Sequence, residues 1–150
     1  MRRVRSVVRV VAAGAAVALT MALAASAASP AQERQAIMKQ TGLQMRDVSA
    51  FATGQSAWDP AKVKMLTGAI ATNGRKLQGL YPPGSGSDPK SEADPKIWTN
   101  KADFIKRLAE MSTLATAAGK APNAEAFKPA FLKMSATCKS CHDIYRKKKT

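Results

Sequence analysis

Apolar residues from position 38 onward recur at intervals of three and four, in four separate stretches. In chain order the sets are Met38, Thr41, Met45, Val48 and Ala52; Val63, Leu66, Ile70 and Leu77; Phe104, Leu108, Met111 and Ala115; and Phe127, Phe131, Met134, Cys138, Cys141 and Tyr145. This spacing places each set on one face of an amphipathic α-helix. Strict alternation of apolar and polar residues, the pattern of a half-buried strand, is missing from the sequence. The pattern therefore predicts four helices and no sheet.

Residues that typically begin and end helices flank these stretches. The predicted starts are Ser29-Pro30, Asp59-Pro60 and Asn100, and the predicted ends are Gly54, Gly79 and Gly119. Ser, Asp and Asn side chains cap the first free N–H groups of a helix, and Pro fits its first turn. Pro129 leaves two starts open for the last helix, which begins either near Pro129 or at Asn123 with a kink.

A long segment rich in Pro and Gly, from Gly79 to Asn100, separates the second helix from the third. The other two connections are short, so consecutive helices return alongside one another. Helices with one apolar face each must bury that face against the others. The sequence therefore predicts an all-α fold, an antiparallel four-helix bundle. It assigns no role to the long loop.

The N-terminal segment carries the three parts of a secretory signal peptide. The first nine residues hold four arginines and no acid, an apolar run extends over Val10–Leu23, and Ala25-Ser26-Ala27 offers a small-residue cleavage site. A permanent membrane anchor is the alternative, but this apolar run is shorter than the roughly 20 residues that span a bilayer. We therefore expect residues 1–27 to be removed and residues 28–150 to form a periplasmic domain without stable membrane insertion.

The strongest chemical signal is the sequence Cys138-Lys-Ser-Cys141-His142, which holds both cysteines and the single histidine of the chain. The spacing C-x-x-C-H is the attachment signature of c-type haem. Residues three apart lie on one face of a helix, so both thiols can reach the two vinyl groups on one haem edge. His142 follows directly and can coordinate the iron.

Three other uses of these residues are open from the pattern alone. The thiols could form a redox dithiol, although that motif normally begins a helix after a strand. A zinc site would need further ligands and usually a wider spacing. A structural disulfide suits an exported protein but leaves His142 without a role. Covalent haem c accounts for all three residues.

The C-terminal sequence Cys138-Lys-Ser-Cys-His-Asp-Ile-Tyr-Arg-Lys-Lys resembles that of the class II c-type cytochromes, the cytochrome c-prime family. Gln35-Ala-Ile-Met38, Ala57-Trp58-Asp59 and Pro95-Lys-Ile-Trp98 are also similar to segments of this family. The resemblance covers essentially the whole chain after residue 27. It implies a bundle with one haem attached to the C-terminal helix, and homodimers are common in the family.

The resemblance also implies roles for individual residues. His142 is then the proximal axial ligand, and Met38 aligns with the distal methionine ligand of the low-spin branch. Spacing alone leaves Met38 and Met45 equivalent, and a core methionine is the structural alternative. Arg34, Trp98 and Arg146 are haem-pocket candidates: Arg34 could pair with a haem propionate, and Arg146 could instead simply begin the basic C-terminal end.

Taken together, these observations predict a periplasmic monohaem electron-transfer protein and not an enzyme, because no catalytic acid, base or nucleophile is evident. The alternative is a five-coordinate cytochrome c-prime that binds nitric oxide or carbon monoxide. The chain has 24 Lys and Arg against 10 Asp and Glu, a net charge of +14. Basic segments interleaved with aromatic residues are missing, so we expect no nucleic acid, but redox partners with an acidic docking surface. Whether the protein forms a homodimer is left open.

Overall fold

A computed structural model describes residues 28–148, which form five helices and no strand. They are α1 (Pro30–Ala52), α2 (Pro60–Gln78), α3 (Lys96–Thr99), α4 (Lys101–Ala118) and α5 (Ala124–Tyr145). The four long helices form the predicted bundle, and α3 is a single additional turn inside the long loop. The predicted signal peptide, residues 1–27, lies outside the described residues. Within residues 28–148, no helix is both long and apolar enough to cross a membrane.

The helix starts follow the predicted capping chemistry at three of four positions. The Ser29 hydroxyl accepts a bond from the Gln32 N–H at 3.3 Å, and the Gln32 side chain accepts one from the Ser29 N–H at 2.9 Å. Asp59 caps α2 in a similar way, with 2.9 Å to the Lys62 N–H. Asn100 precedes α4, but its side chain makes no capping bond. These caps satisfy N–H groups that lack partners within the helix.

The start of α5 resolves the alternative that the sequence left open. The Asn123 side chain accepts a bond from the Ala126 N–H at 2.9 Å, so the helix begins at Ala124 and passes through Pro129. A proline within a helix removes one backbone hydrogen bond and crowds the preceding turn. The cap and the buried apolar face of α5 compensate for this loss, and the helix continues to Tyr145.

Two groups of buried side chains form the core, one toward each end of the bundle. One contains Val48, Phe51, Val63, Ile70, Ala71, Ala115, Ala118, Phe127 and Met134. The other contains Ile37, Leu77, Tyr81, Ile97, Phe104, Leu108 and Tyr145. On α1 Val48 is fully buried and Ile37 is 9% exposed, whereas Met38 and Met45 are only half-buried. Of the apolar face predicted for α1, Val48 therefore lies in the core, whereas Met38 and Met45 lie at its margin and remain partly exposed.

Candidate functional site

Two adjoining cavities lie between α1 and α5, with volumes of about 560 Å³ and about 260 Å³. Four residues line both of them: Met38 and Gly42 on α1, and Cys141 and His142 on α5. We call the two cavities together the α1–α5 cleft. The C-x-x-C-H sequence on α5 thus borders the same cleft as the predicted distal methionine on α1. In the sequence, 103 positions separate Met38 from Cys141.

The two thiols lie one helical turn apart on the wall that α5 contributes. Both cysteines are free and half-buried; Cys138 lines the smaller cavity and Cys141 lines both. Burial raises the pKa of Cys138, and it raises the pKa of Cys141 to about 11. Both groups are therefore neutral thiols at pH 7. A redox dithiol of the thioredoxin type needs a lowered thiol pKa, so the structure disfavours that alternative.

His142 is exposed beside these thiols at the border of both cavities. Partial desolvation lowers its pKa, and the positive charge of Arg146 lowers it further. The imidazole is therefore neutral at pH 7, which is the form that binds a metal. Among residues 28–148, no three His, Cys, Asp or Glu side chains come together as a metal-binding group. Within these residues the structure therefore lends no support to the zinc alternative.

The α1 wall of the cleft runs along one face of the helix. It consists of Ala31, Arg34, Gln35, Met38, Lys39, Thr41, Gly42 and Met45. Of the methionines in the described chain, only Met38 borders both cavities together with His142. Met45 and Met111 line the smaller cavity alone, Met134 is fully buried in the core, and Met65 is 63% exposed on α2. The tertiary structure thus separates Met38 from Met45, which sequence spacing could not do.

Arg34 is almost completely buried, with 4% of its surface exposed, and it holds the long loop against α1. One Nη donates to the Leu80 carbonyl at 2.7 Å and to the Ser85 hydroxyl at 2.9 Å. The other donates to the Ser85 carbonyl at 2.9 Å and to the Ser91 hydroxyl at 3.2 Å. The guanidinium also lies 4.7 Å from the ring centre of Tyr81. Arg34 therefore lines the cleft while its Nη groups bind the loop, and its pairing with a haem propionate stays a prediction.

A second set of contacts joins the same loop to the end of α5. The Asp94 N–H donates to the Tyr145 carbonyl, and the Lys147 N–H donates to the Glu92 carbonyl, both at 2.9 Å. Arg146 lines the larger cavity and forms an ion pair with Glu92 at 3.3 Å. The loop is thus attached to both helices that border the cleft. The sequence assigned no role to this loop; the structure makes it one wall of the site.

Tyr81 is the principal residue of this wall that sequence reasoning missed. It is 6% exposed, lines the larger cavity, and packs with its ring centre 4.5 Å from that of Phe104. Burial raises the pKa of Tyr81 to about 12, so the hydroxyl stays neutral. The one local signal was an aromatic residue two positions after the predicted helix end at Gly79. Such a signal does not reveal what the ring packs against.

Trp98 is the one predicted pocket residue that the structure does not bring to either cavity. Its indole N–H donates to the Pro82 carbonyl at 3.0 Å, and its ring lies against Gly86 in the loop. The ring centres of Trp98 and Tyr81 are 6.2 Å apart, and of these two residues only Tyr81 lines the cleft. In this structure Trp98 packs against the loop.

The Tyr145 side chain connects the cleft wall on α5 to α4. Its hydroxyl donates to Asp103 at 2.6 Å, and Arg107 binds the same carboxylate oxygen at 2.7 Å. The hydrogen bond from Tyr145, followed by that from Arg107, lowers the pKa of Asp103. Arg107 also lines the smaller cavity. This network joins both cavities to one charged group on α4, a link that the sequence pattern did not reveal.

The residues of the cleft fit a haem c. The larger cavity falls within the range of about 300–1,000 Å³ that is usual for cofactor sites, and its walls combine apolar rings with a few polar groups. Two neutral free thiols lie at the attachment spacing, and a neutral imidazole is next to them. Cys138, Cys141 and His142 could hold the cofactor from α5, while Met38 faces them from α1.

Comparison with known proteins gives a consistent result. Residues 29–146 match the family described as Cytochrome C'. The chain is 36% identical over 119 residues to cytochrome c' of Rhodopseudomonas palustris, covering 79% of this chain and 82% of the relative. It is 34% identical over 125 residues to cytochrome c-556 of Agrobacterium fabrum, covering 82% and 84%. The solved structure of cytochrome c' from Rhodopseudomonas palustris has a TM-score of 0.77 at 34% identity, covering 82% of this chain and 99% of that one.

Proposed function

Since this chain belongs to the cytochrome c' family of class II c-type cytochromes, which carry covalently attached haem c, we propose that it is an electron-transfer protein. When bound, the haem supplies an iron that gains and loses one electron. The observation that carries the proposal is the convergence of Met38, Cys141 and His142 on one cleft. In this proposal, Cys138 and Cys141 form the two thioether bonds and His142 is the proximal iron ligand.

Met38 is the distal ligand in this proposal. Its support is that Met38 borders both cavities on α1, opposite His142, and is only half-buried by protein atoms. A thioether ligand favours ferrous iron and raises the reduction potential. It also occupies the position at which small gases would bind. A Met/His-ligated iron therefore suits a carrier that exchanges electrons without binding a substrate.

The proposed domain division is a signal peptide over residues 1–27 and a haem domain over residues 28–150. Removal of the first 27 residues takes away four arginines and leaves a net charge of +10. Two haem propionates reduce this value to about +8. Export to the periplasm brings the chain to the compartment where haem c is attached and where redox partners meet it.

A positive surface of this kind favours redox partners with an acidic docking face. Lys39 and Arg146 both line the larger cavity, so positive charge is present at the cleft itself. We expect the rate of electron transfer with an acidic partner to fall as ionic strength rises from about 0.01 M to 0.15 M, because salt screens the attraction over a Debye length. A rate that does not depend on salt would contradict charge-guided docking.

The attachment is tested by intact-mass measurement of protein produced in a host that exports it and attaches haem c. We expect the mass of one haem in the denatured wild-type protein. The double variant Cys138→Ala/Cys141→Ala should lose it, whereas the control Ser140→Ala, between the two cysteines, should keep it. A wild-type protein without an added porphyrin would overturn the proposed function.

The ligation is tested by absorption spectra of the oxidised and reduced protein, with and without carbon monoxide. We expect a low-spin wild-type protein that does not take up carbon monoxide. Met38→Ala should become high-spin, bind carbon monoxide when reduced, and have a lower reduction potential. Met45→Ala is the matched control, since Met45 lines the smaller cavity only, and should resemble the wild type. Carbon monoxide uptake by the wild-type protein would support the gas-binding alternative instead.

A further inference from the structure

Glycines inside helices need an explanation, because glycine destabilises a helix interior relative to alanine. Three glycines lie well inside α1 and α2: Gly42, Gly68 and Gly74. Gly74 has a packing reason, since a methyl group there would overlap the Ser112 hydroxyl and lie 3.2 Å from the Leu108 carbonyl. Close packing of α2 against α4 therefore requires Gly74.

The other two glycines have no such reason within the described chain. Apart from its chain neighbours and the nearby backbone of its own helix, a methyl group at Gly42 or at Gly68 would have no atom of residues 28–148 within 4 Å. Gly68 lies on the exposed side of α2 and lines neither cavity of the cleft. Both glycines are exposed, so exposure by itself does not explain why a glycine stands at either position. Gly42 differs from Gly68 in its place in the fold.

Gly42 is one of the four residues that line both cavities of the α1–α5 cleft. The other three are Met38, Cys141 and His142, the residues that we assign to the haem and its iron. Gly42 follows Met38 by one helical turn, so both face the cleft from the same side of α1. At this position a side chain on α1 would project toward the thiol and the imidazole of α5.

We propose that Gly42 is the position at which α1 makes room for the haem. The missing side chain would allow a cofactor held by α5 to lie close to the α1 backbone. Glycine lets a backbone approach a ligand closely, and any side chain at position 42 would hold the cofactor away from α1. Because Met38 lies one turn away, such a displacement would also take the iron out of reach of the Met38 sulfur. The inference rests on the proposed function, since it concerns the haem that Cys141 and His142 would hold.

The test compares Gly42→Ala and Gly42→Val with Gly68→Ala and Gly68→Val, all as haem-loaded proteins. Helix propensity alone predicts that alanine raises Tm by about 2–8 °C at either position. We expect this rise for Gly68→Ala and an unchanged haem spectrum for both Gly68 variants. Gly42→Ala should show no rise, and Gly42→Val should lower Tm by about 5 °C or more, shift the haem absorption spectrum and bind carbon monoxide when reduced.

The inference is overturned if the Gly42 variants follow the Gly68 variants in both Tm and spectrum. A changed oligomeric state with an unchanged spectrum would also overturn it, because it would assign Gly42 to a protein interface. Failure of the proposed function looks different. It would appear as missing haem in the wild-type protein, or as an unchanged spectrum in Met38→Ala, before any Gly42 variant is measured.

Discussion

Replacement of Arg34 by alanine tests whether the long loop is a structural wall of the cleft. The guanidinium makes four hydrogen bonds to Leu80, Ser85 and Ser91 and lies over the Tyr81 ring. Burial lowers the pKa of Arg34, but a guanidinium remains charged in the folded protein. The truncation therefore removes a buried positive charge together with all four bonds.

The expected cost can be worked from these contacts. A hydrogen bond from a charged donor contributes about 1.5–3 kcal/mol to the free energy of unfolding when its acceptor cannot form a hydrogen bond with water instead. Ser85 is half-buried in the loop and can rehydrate, whereas Ser91 is 5% exposed and cannot do so without opening the loop. The freed side-chain entropy of an arginine returns up to about 2 kcal/mol. With the bonds to the Leu80 carbonyl and the Ser91 hydroxyl both counted as unreplaced, at about 3–6 kcal/mol together, the entropy return leaves an expected net loss of about 1–4 kcal/mol. This corresponds to a Tm decrease of roughly 3–15 °C in a domain of this size.

The assay is urea unfolding of the haem-loaded protein, combined with limited proteolysis of the loop. Arg34→Lys keeps the charge but lacks the planar fork, so we expect an intermediate loss. Arg34→Met keeps most of the apolar stem and should behave like Arg34→Ala if the hydrogen bonds matter. Cleavage in the Arg34→Ala protein should appear first between residues 82 and 90. An Arg34→Ala protein within about 0.5 kcal/mol of the wild type, with an intact loop, would refute this reasoning.

Two further predictions concern α4 and α5. Asp103 has a folded pKa below its usual value, so its stabilising contribution is present above about pH 4 and is lost as pH falls through the folded pKa. The decrease in Tm between pH 6 and pH 2.5 should therefore be smaller for Asp103→Asn than for the wild type, and intermediate for Tyr145→Phe. Variant curves of Tm against pH that run parallel to the wild-type curve would contradict this role of Asp103. Pro129→Ala should raise stability by about 1 kcal/mol or more, because it restores an N–H that can bind the Glu125 carbonyl. Its haem spectrum should match that of the wild type, and an unchanged or lower urea midpoint would show that Pro129 does not strain α5.

The sequence predicted those features that depend on residues close together along the chain. Helical periodicity gave the four long helices, and the Ser29 and Asp59 caps were read from three or four consecutive positions. The C-x-x-C-H sequence is likewise contiguous, and the fold of a single helix is enough to align its thiols. The resemblance added the chain topology, which the family match over residues 29–146 supports. The alignment of Met38 with the distal ligand stays a prediction.

The single turn α3 and the start of α5 were less predictable. A four-residue helix has too few positions for a periodic pattern, so Lys96–Thr99 was included in the loop. Pro129 suggested a later start for α5, and the Asn123 cap outweighed it. At α5 the side-chain cap and the buried apolar face of the helix together outweighed the local cost of the proline.

The sequence by itself determined that this protein is a bundle of amphipathic helices with a haem-attachment signature near its C-terminus. Only the tertiary structure decided which residues face that signature: Met38 and not Met45 at both cavities, Gly42 one turn further along α1, Arg34 bound to the loop, and Trp98 outside both cavities. The physical reason is the range of the interactions. Helix periods and attachment spacing are set by backbone geometry within a few residues, whereas the cleft is formed by packing between segments that are about a hundred positions apart.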